Sequence, residues 1–241
     1  SAIQTGLSIA SNLGHKILDT IMPLKQGFNQ FEDKINSVNM LVASLGKSEM
    51  GNITESLDDL QKYAETTKYS VKQMHNSLAQ FVNAGVGLKD SATALKGWGN
   101  LAASAGATAD GFNRSLQFGV QQALQMGKMT TQNWMSVENA GMATKRFKDI
   151  LTQTAQELGA NVDMSEGFRE SLQKGWLTNE VLIKSLEKLA KDDTLVKMAS
   201  EFHTLGEVSE AISDQVTSSW SRFWETLIGQ AGSDEVTAFW T

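Results

Sequence analysis

Three histidines, two adjacent pairs of acids and two glycine-rich phrases are the parts of this sequence whose residue types could do chemistry. His15, His75 and His203 stand far apart, and none lies in an H-E-x-x-H or comparable ligand spacing. Glu201, two residues before His203, would leave a helix on a different side from it. The spacing therefore does not point to a metal site. Asp58–Asp59 and Asp192–Asp193 are adjacent, so helical geometry turns the carboxylates of each pair apart. Such pairs suit exposed helix ends or first turns, where the helix dipole favours negative charge. A carboxylate pair for glycoside cleavage would have to assemble from distant positions. "LVASLGKS", 41–48, ends like a phosphate-binding loop, but the first glycine of that motif would fall at Leu41, and helix periodicity precedes it where a strand is needed. "GVGLKD", 85–90, opens like a dinucleotide fingerprint and then carries Asp90 where the third glycine belongs. No Gly-x-Ser-x-Gly elbow occurs. No catalytic, cofactor-binding or metal-ligating residue is assigned.

Composition narrows the classes further. The chain has 241 residues, 41% hydrophobic and 20% charged, which is enough for a sizeable core. A net charge of −6 argues against binding a phosphate backbone over a broad face, so no specific nucleic-acid partner is expected. The densest basic run, Lys145, Arg146 and Lys148, reads as a solvated helix face. With no cysteine, disulfides and thiolate metal sites are excluded. No run of 18 apolar residues exists, so no membrane-spanning helix is expected. The start lacks a Met, a basic region and an apolar leader, and the end "EVTAFWT" is apolar and uncapped. Both read as cuts in a longer polypeptide.

The elements that would carry any site are helices. Twenty glycines and one proline, with few strand-like runs, make glycine the punctuation between them. The phrase Gly-x-hydrophobe-Thr occurs twice, at Gly127, Met129, Thr130 and at Gly175, Leu177, Thr178. A left-handed glycine closes one helix, the hydrophobe tucks onto the core, and Thr caps the next helix. Gly85 ends a helix in the same way. Ser70 and Gln73 make a capping box, and Asp90, Asp110, and Asp163 or Ser165 read as further caps. Apolar spacing predicts helices near 54–66, 70–84, 91–104, 110–126, 131–140, 143–158, 165–174, 179–191, 194–204 and 207–229. Trp98, Trp134 and Trp176 are expected in the core. In 207–229, Val208, Ile212, Val216, Trp220, Phe223, Trp224 and Leu227 form one face, either core or a docking surface centred on Trp220, Phe223 and Trp224.

Residues 1–45 carry a different pattern. Thirteen positions from Ile3 to Leu45 alternate four and three apart, and twelve are apolar. This is a coiled-coil seam or a pair of amphipathic helices packed on a neighbour. The spacing favours association with other copies through Phe28 and Phe31; Pro23, Gly6, Gly14 and Gly27 favour packing in cis. The expected organisation is all-α: a heptad-patterned segment over 1–50, a compact domain of short helices with glycine-capped turns over 51–205, and an aromatic-rich closing helix over 206–241.

The order of these phrases resembles a known family. The run "LQKYAETTKYSVKQMHNSLAQFVNAGVGLKDSATALKGWGNLAASAG" is similar to the N-terminal domain of phage tail tape measure proteins. It holds an Ala-x-x-Thr helix end (Ala64 to Thr67), a Gly-Leu turn and a Leu-Ala-Ala helix. A Gly-Lys-hydrophobe-Thr turn (Gly127 to Thr130), an Asn-Ala-Gly helix end (Asn139 to Gly141) and the turn Gly175 to Thr178 follow in order. "SSWSRFWETL" is similar to the family's closing helix, and the likeness runs over roughly 54–228. The resemblance implies a structural role: setting tail length, occupying the tail tube in several copies, and meeting tail-tube, tail-tip or assembly-chaperone proteins. It places the chain in the virion tail, and in host cytoplasm during assembly, of a phage or prophage. It maps no catalytic residue and no cofactor. The rival readings are a muralytic domain of a phage tail and a secreted all-helical effector or adaptor.

Overall fold

The computed structural model describes residues 25–27, 29–67, 69–201, 216–226 and 229. Among them the secondary structure is helical, with no strand beyond one isolated bridge. The helices are α1 (29–45), α2 (Met50–Glu65), α3 (Val71–Asn83), α4 (Leu88–Ser104), α5 (Ala109–Arg114), α6 (Gln122–Met126), α7 (Thr131–Asn139), α8 (Lys145–Glu157), α9 (Phe168–Ser171), α10 (Asn179–Ala190), α11 (Asp193–Ser200) and α12 (216–226). Between α5 and α6 the chain is a π-helix, Ser115–Gln121.

α4 is the axis. Eleven of its seventeen residues are buried, and α2, α3, α10 and α11 all pack on it. Its sequence "ALKGWGNLAAS" explains why: small residues let neighbouring backbones come close, and Trp98 fills the gap they leave. A Cβ on Gly97 would lie 1.9 Å from the Leu186 carbonyl oxygen of α10. Polar pins fix the crossing. Asn100 Nδ2 donates to the Leu189 carbonyl at 3.2 Å, and the Tyr63 hydroxyl lies 2.9 Å from Asn100 Oδ1.

The repeated phrase turns out to pair with itself. Gly127 (φ 81°) and Gly175 (φ 72°) are both left-handed. Past them, Met129 N–H donates to the Leu177 carbonyl at 2.8 Å and Asn179 N–H to the Gly127 carbonyl at 3.2 Å. Lys128 and Thr178 form the isolated antiparallel bridge. Thr130 Oγ1 then accepts from Asn133 N–H, and Thr178 Oγ1 from Val181 N–H. Met129 and Leu177 are fully enclosed, so the two turns meet over the core.

Asn133 joins this turn to the π-helix. Its Nδ2 donates to the Phe118 carbonyl at 3.0 Å, while its Oδ1 accepts from Thr130 N–H at 3.1 Å. A π-helix leaves carbonyls without their usual i+4 partners, and a side chain from α7 supplies one.

Some local expectations are corrected. α4 begins at Leu88 after Gly87 with no side-chain cap, so Asp90 sits in the first turn instead. α5 is capped by Thr108, which accepts from Gly111 N–H, leaving Asp110 in the first turn. Asp163 accepts from Ser165 N–H in a turn, and the helix there is only α9. "GKSEMGN" is largely helical: a 3₁₀ turn over Lys47–Glu49 leads directly into α2. Ser70 and Gln73 form their capping box. Gly85 stands just past α3 at φ 87°.

α1 lies on the rest of the chain. Phe31, Ile35, Val38 and Leu41 are buried in the same contiguous core as α2 to α11. Phe28 and Pro23 fall outside the described residues.

His75 of α3 is 1% exposed, and its Nε2 lies 3.0 Å from the carbonyl oxygen of Leu57 in α2. That carbonyl can only accept, so Nε2 carries the proton. Burial holds the imidazolium pKa down at about 4, despite the carbonyl.

Four outcomes follow for stability. Gly97→Ala should destabilise by about 3 kcal/mol or more in urea unfolding, because its methyl meets backbone. Gly99→Ala should do less, since its nearest neighbour is the tip of Tyr63. Gly175→Val, left-handed and with only the flexible Lys128 side chain 3.5 Å from its Cβ, should lose about 1–2 kcal/mol, and a melt unchanged from wild type would refute the turn's role. For His75, the unfolded imidazole protonates near 6.5 and the folded one near 4. The unfolded state thus takes up the proton first, so stability falls as pH drops from about 6.5 to 4, by about 3 kcal/mol in total. His75→Gln should flatten that part of a stability–pH curve.

Candidate functional site

The residues that might have done chemistry are occupied structurally. His75 is sealed in the core; His15 and His203 lie outside the described residues. Asp58 and Asp59 diverge, Asp58 taking Lys34 at 2.7 Å and Asp59 taking Lys96. Asp192 caps α11, accepting from Thr194 and Leu195 N–H, and pairs with Arg146. Asp193 follows in the first turn. Among the described residues no group of three or more His, Cys, Asp or Glu is arranged to hold a metal ion.

The basic run on α8 is dispersed in the same way. Lys145 pairs with Asp149 one turn on, Arg146 reaches Asp192, and Lys148 lies 5.8 Å from the centre of the Phe168 ring.

Strong carboxylate shifts occur at the surface. Asp163 is held well below the usual carboxylate range by the Lys174 ammonium, then by Ser165 N–H. Lys174 is raised in return. Glu157 is lowered chiefly by Lys188. These are clasps between segments: 157 to 188 ties α8 to α10, and 163 to 174 ties the loop after α8 to the turn before α10.

The tryptophans build the interior. Trp98 stands edge-on to Phe147, Phe147 stacks near Trp134, Trp134 meets Phe168 at 4.5 Å, and Phe168 meets Trp176 edge-on. This chain of rings joins α4, α8, α7 and α9 and places all three tryptophans in the core.

What the molecule offers outward is apolar surface. Phe118 of the π-helix is 42% exposed, Met126 59% and Met135 44%. Phe118 borders a groove of about 520 Å³ shared with Arg114, Ser136, Asn139 and Ala140. A π-helix widens its turn and so re-aims its side chains; no sequence signal marked Phe118, because it sits within an ordinary apolar period. α12 is the second such surface. Val216 and Phe223 are exposed, Trp220 and Trp224 half-buried, and the buried side chains are Ser218 and Ser221. Phe223 meets Trp220 and Trp224 edge-on. Val208, Ile212 and Leu227 lie outside the described residues. Phe31, by contrast, faces the protein's own core. No helix among the described residues is long and apolar enough to cross a membrane.

Comparison with known proteins returns one family. The family described as "Tape measure protein" matches residues 26–228. No curated protein and no solved structure matches. The matched range takes in α1 through α12, so the helical unit described above corresponds to the family's domain. An all-helical scaffold whose ionisable groups serve as clasps and caps, matched over 26–228, belongs to the tape measure protein family, structural components of phage tails.

Proposed function

We propose that this domain works through protein–protein contacts in tail assembly, helping to set tail length and occupying the tail tube. The observation that carries the reading is the family match over the entire described unit. Its side chains support the reading: large apolar groups at Phe118, Met126 and Met135 stand exposed on a body whose core is otherwise closed. Phe118 stands beside the groove, and exposed apolar groups of this size are typical of contact surfaces. The partners of this reading are tail-tube, tail-tip or assembly-chaperone proteins and other copies of the chain. The domain would act first in the host cytoplasm, during assembly, and then in the virion tail of a phage or prophage.

The test uses the phage that carries this gene. Phe118→Asp with Met126→Asp changes exposed side chains only, so the purified domain should keep its melting temperature. Infectious titre should fall at least tenfold, with short or missing tails in electron micrographs. Normal tails at normal titre would remove this surface from assembly. In-frame deletion of residues 26–228 tests the broader role: an unchanged distribution of tail lengths would overturn it.

A further inference from the structure

α12 is docked on the body in an unusual way. Its apolar side chains are at most half-buried. The residues it buries completely are Ser218 and Ser221, whereas Val216 and Phe223 face outward. Trp224 is half-buried against the edge of the core.

Among the described residues, three polar contacts and one close approach join it to α1 and α2. Lys34 of α1 is 3% exposed at its side chain and lies between two carboxylates, Asp58 of α2 at 2.7 Å and Glu225 of α12 at 2.6 Å. Arg222 reaches Glu65 of α2 at 2.9 Å, and Gln30 Nε2 donates to Ser218 Oγ at 3.2 Å. At Gly27 the backbones nearly touch: a Cβ there would lie 2.3 Å from Trp220 Cβ and 2.8 Å from Ser221 N. Small residues on both sides make room for the crossing, and the ammonium of Lys34 closes it.

A buried lysine is costly unless paired, and it gains its pairing here from opposite sides. Asp58 belongs to the body and is 44% exposed at its side chain, so it remains Lys34's partner when α12 leaves. Glu225 is 17% exposed and returns to water on the same movement. Both charges therefore have an acceptable environment in two arrangements. The core has the same property, because among the described residues every fully buried large side chain belongs to α1–α10 or the connections between them.

We infer that α12 is a strap that opens from α1 and α2 as a unit while the body stays folded, with the Lys34–Glu225 contact as its catch. Open, it frees the Trp220 and Trp224 faces together with Phe223, uniting the aromatic stripe on one helix.

Native-state hydrogen exchange on the whole 241-residue chain tests this. Backbone amides of 216–226 should exchange at least tenfold faster than the slowest amides of α4 in the unaltered protein. Glu225→Gln should speed 216–226 about a further tenfold and leave α4 unchanged; because it sits on the strap, it spares the body. Arg222→Ala should act in the same direction and more weakly. Exchange of 216–226 at the α4 rate, or an α4 rate that rises equally in Glu225→Gln, would make α12 an integral part of the cooperative fold and overturn the strap.

Discussion

The arrangement depends on how closely α4 approaches α10 at Gly97. With the Leu186 carbonyl oxygen where a methyl would sit, the two axes are nearer than ordinary side chains allow. Everything else is organised around that line. The Asn100 amide can bond the Leu189 carbonyl only because the helices are this close. Trp98, one residue from the contact, is thereby turned toward Phe147 and the ring chain that runs through Trp134 and Phe168. Interiors pack at near-crystalline density, so a fixed crossing fixes its neighbours.

Around this axis the ionisable residues act as ties between segments. Lys188–Glu157, Lys174–Asp163, Arg169–Glu138 and Arg146–Asp192 each join different elements. Individually, exposed pairs contribute little. Placed where connections are short, they choose among ways of packing otherwise similar amphipathic helices. This is consistent with a component whose task is to present a shaped surface, and with the tape measure family's structural role in the phage tail.

Much of this was legible in the residues, and the exceptions share a cause. The all-α class follows from apolar spacing, and caps such as Ser70 with Gln73 and the left-handed glycines 127 and 175 follow from local chemistry. Four things were not. The π-helix at 115–121 is stabilised by Asn133, fifteen residues beyond Phe118, and has no local code. The two Gly-x-hydrophobe-Thr phrases read as independent grammar, yet their backbones bond each other across 48 residues of sequence. Lys34 looks like any solvated lysine; only a helix nearly two hundred residues away makes it a buried one. Aromatics on α12 left its face open between core and docking surface; in the structure Ser218 and Ser221 are buried there, Trp220 and Trp224 half-buried, and Phe223 exposed. Wherever the determinant was a distant partner, the sequence window was too short to hold it.

The same distance has a kinetic side. Lys34 and Glu225 are 191 residues apart, whereas α2, α3 and α4 meet through neighbours in the chain. Loop closure over such a span costs only slightly more entropy than over half of it, but it cannot begin until the distal residue exists. On a ribosome adding about 5–20 residues per second, Lys34 waits on the order of ten seconds or more with Asp58 as its carboxylate in the clasp. Lys34 meets its second carboxylate only after Glu225 has emerged. Clasp formation is therefore a late event in the life of each new chain, and its timing is set by the rate of translation.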